Sequence, residues 1–234
     1  LSPTSLSGWT PGDCKLALDF NAYAAGSVAA ATPLDEDFSV DDGGFAAARD
    51  GETVAVNSGR LRVTSDDGTS MGASVAVAGL TVGDTYVFEV DAFIGTLSPT
   101  ANAIRIRYST EATLGSGVDG EILSADGSKS LTFVATATTM YFGAIGIPGA
   151  SAQYFEIDNV TLKRAYPDLS PANNGAVING TLTAAAVETG ADLFALSGFS
   201  TSNYLEVPYS SDFDMGTGNF TIIQSNLIRF IMLT

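Results

Sequence analysis

The 234-residue sequence contains no histidine and only one cysteine, Cys14. Histidine is the commonest general base and metal ligand, so every nucleophile that relies on a histidine partner is excluded. A lone cysteine cannot form a disulfide within the chain or supply a thiolate zinc site. No pair of carboxylates stands out as an acid–base couple either, so we expect a protein that is not an enzyme.

Positive charge is also scarce. Ten Lys and Arg residues stand against 26 Asp and Glu, which gives a formal net charge of −16. Binding to nucleic acid or to an anionic membrane surface needs clustered cations, which this composition does not provide. No apolar run is long enough to span a bilayer. We therefore expect neither a nucleic-acid partner nor insertion into a membrane.

Charged residues of both signs make up only 15% of the chain, whereas apolar residues make up 45%. The apolar fraction is sufficient for a packed core, and the surface must be built largely from small and uncharged polar residues. Such surfaces are typical of secreted proteins and of virion components. We therefore expect the protein to be extracellular or part of a virion.

The pattern along the chain indicates three parts. Residues 1–33 are rich in small residues and predict an extended N-terminal arm, with one short alternating run at Leu16–Phe20 and a linker at Ala24–Pro33. Residues 34–164 contain the clearest strands. Residues 165–234 follow the stretch Arg164-Ala165-Tyr166-Pro167, which marks the boundary, and predict a partial β segment.

Strands are predicted wherever short runs of alternating or β-branched residues lie between turn signals. The strongest run is Thr85–Phe93, and Asn57-Ser58-Gly59 predicts a hairpin turn. The other predicted strands of the central part are Thr53–Val56, Arg60–Val63, Ser74–Val77, Ala103–Tyr108, Ser130–Ala135, Thr139–Ile145 and Tyr154–Leu162. No segment has a helical period, so the sequence predicts an all-β protein with an antiparallel two-sheet sandwich.

The last eleven residues, 224–234, are strongly apolar and contain neither Gly nor Ala. An exposed strand of this kind would aggregate, so the segment has to be buried against this chain or another one. An altered reading frame or a truncation would also explain it.

Three segments of the central part follow the order found in one known family. They are Asp37–Val63, Leu80–Tyr86 and the F-x-I-D-N-V-x-L strand at Phe155–Leu162. This order resembles the jelly-roll carbohydrate-binding modules of xylanases and glucanases, and similar domains occur in bacteriophage fibres. The resemblance implies a jelly-roll sandwich whose first and last strands are neighbours.

The last part resembles a second family over Asn174–Thr221, where Gly190–Leu193, Ser197–Ser200 and Asp212–Thr221 carry the likeness. It is similar to the opening strands of concanavalin-like, or laminin-G-like, sandwich domains of phage tail and adhesin proteins. In that family the pattern continues much further, so the resemblance implies only a partial domain.

The two-residue period of the strands assigns each side chain to one of two faces. If the central strands share a sheet, one outer face carries the polar and aromatic side chains that bind sugars, with a ring stacking on a pyranose and polar groups taking its hydroxyls. The candidate sugar-binding residues are Glu89, Asp91, Arg105, Arg107, Tyr141, Tyr154 and Glu156. The alternative is that the two arginines form cross-strand ion pairs with Glu89 and Asp91. The usual sugar platform, Trp, occurs only at Trp9 in the arm, where a packing role is expected.

Acidic residues cluster near the start of the central part, and Asp158 lies in its last strand. Calcium prefers several carboxylate and carbonyl oxygens. The resemblance implies a structural calcium held by Asp158 together with residues near the start of the sandwich, for which Asp35 and Asp37 are the candidates. The family has an acidic residue where this chain has Ser39. The alternative is that these carboxylates belong to solvated turns.

Two functions, which overlap, follow from these features. The first is a virion structural or adhesion protein, such as a fibre, spike or decoration protein, that forms a homo-oligomer (a trimer, for example) with other virion proteins and contacts host-surface glycans. The second is a sugar-binding accessory module of a secreted bacterial enzyme or adhesin. A purely architectural sandwich without a ligand is a third alternative.

Overall fold

A computed structural model describes residues 14, 16–18, 22–97, 104–170, 172–186, 194–210 and 213–214. Within these residues the regular secondary structure is β-strand, apart from a single residue in 3₁₀ conformation. The described residues contain no helix that is long and apolar enough to cross a membrane. The strands are β1 Gly26–Ala29, β2 Leu34–Glu36, β3 Ala46–Ala47, β4 Glu52–Asn57, β5 Arg60–Ser65, β6 Met71–Ala78, β7 Thr85–Phe93, β8 Ile104–Ser109, β9 Val118–Leu123, β10 Gly127–Val134, β11 Thr139–Gly146, β12 Tyr154–Tyr166, β13 Ala176–Asn179, β14 Thr181–Ala186, β15 Phe194–Ser197 and β16 Tyr204–Glu206.

Two antiparallel sheets face each other. The larger sheet has eight strands, in which β12 is central: β7 and β10 lie on one side of it, and β5, β2 and β13 pair along the other. The smaller sheet has five strands in the order β3-β6-β11-β8-β9. All the pairings are antiparallel, which confirms the predicted all-β, two-sheet jelly-roll sandwich.

The core lies between these two sheets and is made by the inward half of each alternating strand. Phe88 of β7 meets Phe142 of β11 with ring centroids 5.4 Å apart, and Phe133 of β10 stacks on Tyr108 of β8 at 4.5 Å. Such aromatic pairs contribute roughly 0.5–1.5 kcal/mol beyond the burial of their surface. Phe142 and its alternate neighbours Met140 and Ala144 on β11 are buried in this core.

The hairpin between β4 and β5 confirms the predicted turn. Asn57 pairs with Arg60, which leaves a two-residue loop of Ser58 and Gly59. Both loop residues have positive φ, at 55° and 77°, as the type I′ turn requires. This turn fixes the register in which Arg60 and Arg62 project from β5.

A bulge in β12 explains the spacing of the F-x-I-D-N-V strand. The register with β7 shifts between Asp158 and Thr161, and Asn159 adopts φ 47° there. The extra residue lets Ile157 and Val160, three positions apart, both point into the core, where each is fully buried.

The stretch predicted as a linker, Ala24–Pro33, instead contains β1, which is a correction. This strand pairs with β14, and β14 pairs with β15, so a third sheet of three strands forms. Small residues such as those of β1 have weak strand propensity, and only the pairing with β14 makes the segment a strand. Next to it, Tyr23 packs edge-on against Tyr166 with ring centroids 4.9 Å apart.

A buried aspartate, Asp168, attaches Ala17 and Leu18 to the rest of the chain. One oxygen of Asp168 accepts hydrogen bonds from the backbone N–H of Ala17 at 2.6 Å and of Ser170 at 2.9 Å. Its other oxygen accepts from the Ser170 hydroxyl at 2.6 Å and from the N–H of Asn174 at 2.7 Å. Within the predicted run Leu16–Phe20, Leu18 forms an isolated bridge with Asp168.

The last part of the chain is only partly described. β13 extends the larger sheet beside β12, and β16 pairs with β13. The predicted boundary after Arg164 therefore lies inside β12. Trp9 and the apolar residues 224–234 lie outside the described residues, so the predictions made for them stay predictions.

Candidate functional site

Four of the seven predicted sugar-binding residues share the outer face of the larger sheet. Glu89 and Asp91 project from β7, and Tyr154 and Glu156 project from the adjacent β12. In the β7–β12 register, Asp91 is opposite Asp158 and Glu156 is opposite Phe93. This outer face is therefore a real neighbourhood of polar and aromatic side chains.

The other three predicted residues belong to the smaller sheet, so the single face assumed for all seven was wrong. Arg105 and Arg107 lie on β8 and Tyr141 lies on β11, and these two strands pair with each other. The core separates the two sheets, and their outer faces point in opposite directions. The two-residue period gives the face of a strand within a sheet but does not identify the sheet.

The alternative expectation for the arginines was also wrong in its partner. Arg105 and Arg107 pair with Asp119 of the neighbouring β9, at 3.1 Å for Arg105, rather than with Glu89 or Asp91. The hydrogen bond from Arg107 is the main reason why the pKa of Asp119 lies below its usual value. Strand β9 was not predicted, so this acceptor was missed.

A loop covers much of this part of the smaller sheet. Arg107 is nearly buried and donates to the carbonyl of Leu114 at 2.7 Å, and the Ser74 hydroxyl donates to the carbonyl of Ala112 at 2.7 Å. The Leu114 side chain is fully buried and packs with Ile145 and Tyr141. The predicted residues of this sheet are therefore held beneath the β8–β9 loop.

On the larger sheet, three residues absent from the predicted set complete the neighbourhood. They are Arg60 and Arg62 on β5 and Phe93 on β7. Because β5 and β7 flank β12, they form an aligned row of Arg62, Glu156 and Phe93 across the sheet. We call the outer surface formed by Arg60, Arg62, Asp91, Phe93, Tyr154, Glu156 and Asp158 the arginine–aromatic face.

Glu156 is the centre of this face. The residue is only 8% exposed, and one carboxylate oxygen accepts hydrogen bonds from Nε and Nη2 of Arg62 at 2.9 and 2.6 Å. The guanidinium carbon of Arg62 lies 3.9 Å from the centroid of the Tyr154 ring. Arg62 is therefore fixed in two ways, by a charged acceptor and by an aromatic surface.

Arg60 repeats the stacking without the hydrogen bonds. Its guanidinium carbon lies 3.6 Å from the centroid of the Phe93 ring. Its nearest carboxylate oxygens, on Glu156 and Asp158, are 3.6 and 4.0 Å away. Among the described residues no acceptor takes a hydrogen bond from this guanidinium, and its side chain is 39% exposed. Its N–H groups are therefore available to a ligand.

Where β7 and β12 lie side by side on this face, uncharged donors surround two carboxylates. Asp91 accepts hydrogen bonds from the Ser128 hydroxyl on β10 and, at 2.8 Å, from the side-chain amide of Asn159. Asp158 accepts from the N–H of Asn159 at 2.8 Å. These contacts hold both carboxylates in place and leave further lone pairs on each oxygen.

Glu89 lies one step further along β7. Its carboxylate is 3.9 Å from Nζ of Lys163 on β12. Burial raises the pKa of Glu89 above its usual value, Lys163 opposes this shift, and the like charges of Glu206 and Asp91 add to it. The outer face of the larger sheet therefore already carries more negative charge than its cations neutralise.

Next to this face, β10 borders a shallow polar groove of about 230 Å³. Ser128, Ser130 and Thr132 of β10 form its floor, and Asn173 and Tyr209 are among the residues that form its sides. Ser128, which binds Asp91, belongs to both the groove and the edge of the arginine–aromatic face. An extended ligand lying on the face would therefore meet hydroxyl and amide groups at this end.

The predicted calcium ligands do not converge on one point. β2 lies beside β12 as the resemblance implied, and Asp35 pairs with Thr161 across that ladder. Asp158 lies before the bulge and faces Arg60. The pKa of the exposed Asp37 is lowered by hydrogen bonding from Ser39, first from its side chain and then from its backbone N–H. In the part of the chain that the structure describes, no group of three or more acidic, His or Cys residues is placed to hold a metal ion. Calcium binding stays a prediction.

Comparison with known proteins yields structural likeness alone. No protein-family model matches the chain, and no curated protein does. Among solved structures, the N-terminal endo-1,4-β-D-xylanase 10B of Clostridium thermocellum, with its carbohydrate-binding and catalytic modules and bound xylohexaose, is 16% identical over 57% of this chain and 28% of that one, with a TM-score of 0.42. The xylan-binding domain of Paenibacillus barcinonensis is 11% identical over 58% of this chain and 96% of that one, with a TM-score of 0.41.

A solved structure with a different activity is also similar. A cyclase from Fischerella sp. is 16% identical over 45% of this chain and 62% of that one, with a TM-score of 0.35. Likeness at this level does not decide function. The chemistry of the arginine–aromatic face has to carry the assignment.

Proposed function

We propose that the protein is a non-catalytic glycan-binding module and that it binds its ligand on the arginine–aromatic face. The observation that supports this is the repeated unit of a guanidinium stacked on an aromatic ring, Arg62 on Tyr154 and Arg60 on Phe93, on either side of the nearly buried Glu156.

Sugars present two kinds of surface, and this face has a partner for each. The C–H side of a pyranose is apolar and packs on a flat aromatic or guanidinium plane. Its hydroxyls lie at the ring edge, where the N–H groups of Arg60 donate and the carboxylates of Asp91 and Asp158 accept. Neighbouring strands lie about 4.8 Å apart, so the four strands β5, β12, β7 and β10 span roughly 14 Å across the sheet. That width accommodates an oligosaccharide.

The groups are also held in place before a ligand arrives. Stacking and the Glu156 hydrogen bonds restrict Arg62, and the Phe93 ring restricts Arg60. Flexible arginines lose side-chain entropy when they bind a ligand, and prior restriction lowers that loss. A face arranged in this way suits binding of a polar ligand.

The experiment compares two identical substitutions on opposite sheets. Arg60→Ala removes a stacked, hydrogen-bond-free guanidinium from the proposed face. Arg105→Ala removes a guanidinium that is paired with Asp119 on the smaller sheet. Binding is measured on an array of neutral oligosaccharides and by calorimetry with any that are retained. We expect Arg60→Ala to weaken binding about tenfold or more and Arg105→Ala to leave it unchanged. Equal loss in both variants, or no retained glycan at all, would reject the proposal.

A second pair tests the aromatic platform. Tyr154→Ala removes a ring that supports Arg62, and Phe199→Ala removes an exposed ring from the loop between β15 and β16. We expect only the first to lower affinity, while both variants keep the far-ultraviolet circular dichroism of the parent. Unchanged glycan affinity of Tyr154→Ala would show that the Tyr154 ring is not part of the binding site.

Whether the module belongs to a virion or to a secreted enzyme or adhesin is a separate part of the proposal. The sandwich fits both settings, and the virion setting predicts a homo-oligomer. Light scattering of the full chain measures its mass: a defined oligomer supports the virion component, and a monomer supports the accessory module.

A further inference from the structure

The outward positions of β5, β7 and β12 carry more carboxylates than cations. The carboxylates are Glu89, Asp91, Glu156 and Asp158, and the cations are Arg60, Arg62 and Lys163. From this imbalance we infer that the arginine–aromatic face selects neutral glycans and excludes those that carry uronic or other acidic sugars. The inference rests on the proposed function and specifies its class of ligand.

Each cation already has a carboxylate partner. Arg62 is hydrogen bonded to Glu156, and Lys163 is 3.9 Å from Glu89. Arg60 lies within 4.0 Å of two carboxylates, those of Glu156 and Asp158. An acidic sugar would therefore compete with existing partners for each of these three positive charges.

Asp91 has no such partner among the described residues. Its hydrogen bonds come from the neutral side chains of Ser128 and Asn159. These donors satisfy its oxygens but do not cancel its charge. Asp91 lies directly opposite Asp158 across the β7–β12 ladder. A ligand carboxylate near Arg60 would therefore lie close to three negative charges, those of Asp91, Asp158 and Glu156.

The opposing effect is the attraction of a uronate to the free N–H groups of Arg60. Two cations, Arg60 and Arg62, lie here beside the three carboxylates of Asp91, Glu156 and Asp158. Unit charges about 4 Å apart interact by about 1 kcal/mol even at the dielectric constant of water. The whole chain adds a longer-range field in the same direction, because its formal net charge is −16. Repulsion therefore exceeds attraction for an acidic ligand, and neutral hydroxyls avoid the penalty.

The test uses the full chain on an array of neutral hexasaccharides, such as cellohexaose and xylohexaose, beside hexagalacturonate. At about 0.01 M ionic strength, where the screening length is roughly 30 Å, we expect retained glycans to be neutral and hexagalacturonate to bind at least about tenfold more weakly. The difference in affinity between the neutral hexasaccharides and hexagalacturonate should become smaller at about 1 M salt, where the screening length is roughly 3 Å.

A charge variant identifies the cause. Asp158→Asn removes one carboxylate beside Arg60 and should raise affinity for hexagalacturonate about fivefold at low salt, as expected for one unit charge about 4 Å away in water. Asp41→Asn is the matched control, because its exposed carboxylate lies in the loop between β2 and β3, is not one of the residues that form the face, and also accepts a local backbone hydrogen bond. Its effect should be below about twofold.

The outcomes separate the two proposals. Retention of hexagalacturonate as strongly as neutral hexasaccharides overturns the inference and leaves the glycan-binding function in place. An equal effect of Asp158→Asn and Asp41→Asn also overturns it, because the selection would then come from the overall charge. If no glycan is retained, the proposed function fails and the inference fails with it.

Discussion

Arg60 and Arg62 are two residues apart on β5, point the same way and are both stacked on aromatic rings, yet the structure predicts different costs for their removal. Arg62→Ala deletes two charge-assisted hydrogen bonds, of 2.6 and 2.9 Å, to the nearly buried Glu156. Arg60→Ala deletes ion pairs of 3.6 and 4.0 Å that are not hydrogen bonds. The comparison therefore isolates the contribution of the hydrogen bonds.

The magnitudes follow from these contacts. Hydrogen bonds to a charged group contribute roughly 1.5–3 kcal/mol, and removal of one partner leaves the other buried charge without compensation. Two such hydrogen bonds would together contribute about 3–6 kcal/mol. Since the Arg62 side chain is 31% exposed, we expect a smaller cost, about 2–3 kcal/mol. For Arg60→Ala, an exposed cation–π contact and a surface ion pair together predict about 1 kcal/mol.

Urea titrations followed by far-ultraviolet circular dichroism measure both free energies of unfolding. In a chain of this size each kcal/mol lowers the melting temperature by about 2–4 °C, so thermal scans provide a second reading. Arg62→Lys keeps the charge but loses the planar pair of donors, and should recover only part of the loss. Equal costs for Arg60→Ala and Arg62→Ala, at unchanged denaturant slope, would refute the reasoning.

Three further predictions concern single groups. Burial raises the pKa of Tyr166 to about 12 from the ordinary 10.0, so the stability it contributes is complete below pH 10 and is lost as pH rises toward 12; Tyr166→Phe should make the alkaline loss of circular dichroism shallower. The pKa of Asp119 is lowered, chiefly by the Arg107 hydrogen bond, so its contribution is present above pH 3.8 and is lost as pH falls through the folded value; Asp119→Asn should flatten the acid limb of the same titration, and an unchanged limb would contradict the pairing. Asp168→Ala leaves the N–H groups that donate to this carboxylate unpaired, and should lower the free energy of unfolding by about 2 kcal/mol or more. Limited proteolysis near Leu18 should become faster than in the parent, and equal cleavage rates would show that Asp168 does not hold Ala17 and Leu18 in place.

The sequence predicted those features that depend on local pattern. Thr85–Phe93 was predicted with the bounds it has in the structure, and the hairpin at Ser58 and Gly59 follows from local backbone preferences. The inward and outward directions of the residues of β7, β11 and β12 also follow from the two-residue period. Each of these features depends on residues close together in the chain.

The site needed information that is not local. Arg62 and Glu156 are 94 positions apart, and only the pairing of β5 with β12 makes them neighbours. The same kind of R-x-R pattern occurs at Arg60–Arg62 and at Arg105–Arg107, and nothing in the pattern distinguishes the sheet to which each belongs. The signal that could have identified the site is the β4–β5 hairpin, because its turn fixes the register of Arg60 and Arg62, and β5 pairs with the F-x-I-D-N-V strand.

The length of β12 has a mechanical consequence. Its 13 residues pair with β7 along one side and with β5, β2 and β13 in turn along the other, so one continuous strand joins the sandwich to the part of the chain that follows it. A force that pulls the two parts away from each other along this strand would act in shear on many ladder hydrogen bonds at once. Loading of this kind resists rupture better than peeling bonds one at a time, so the junction is a stiff connection rather than a hinge.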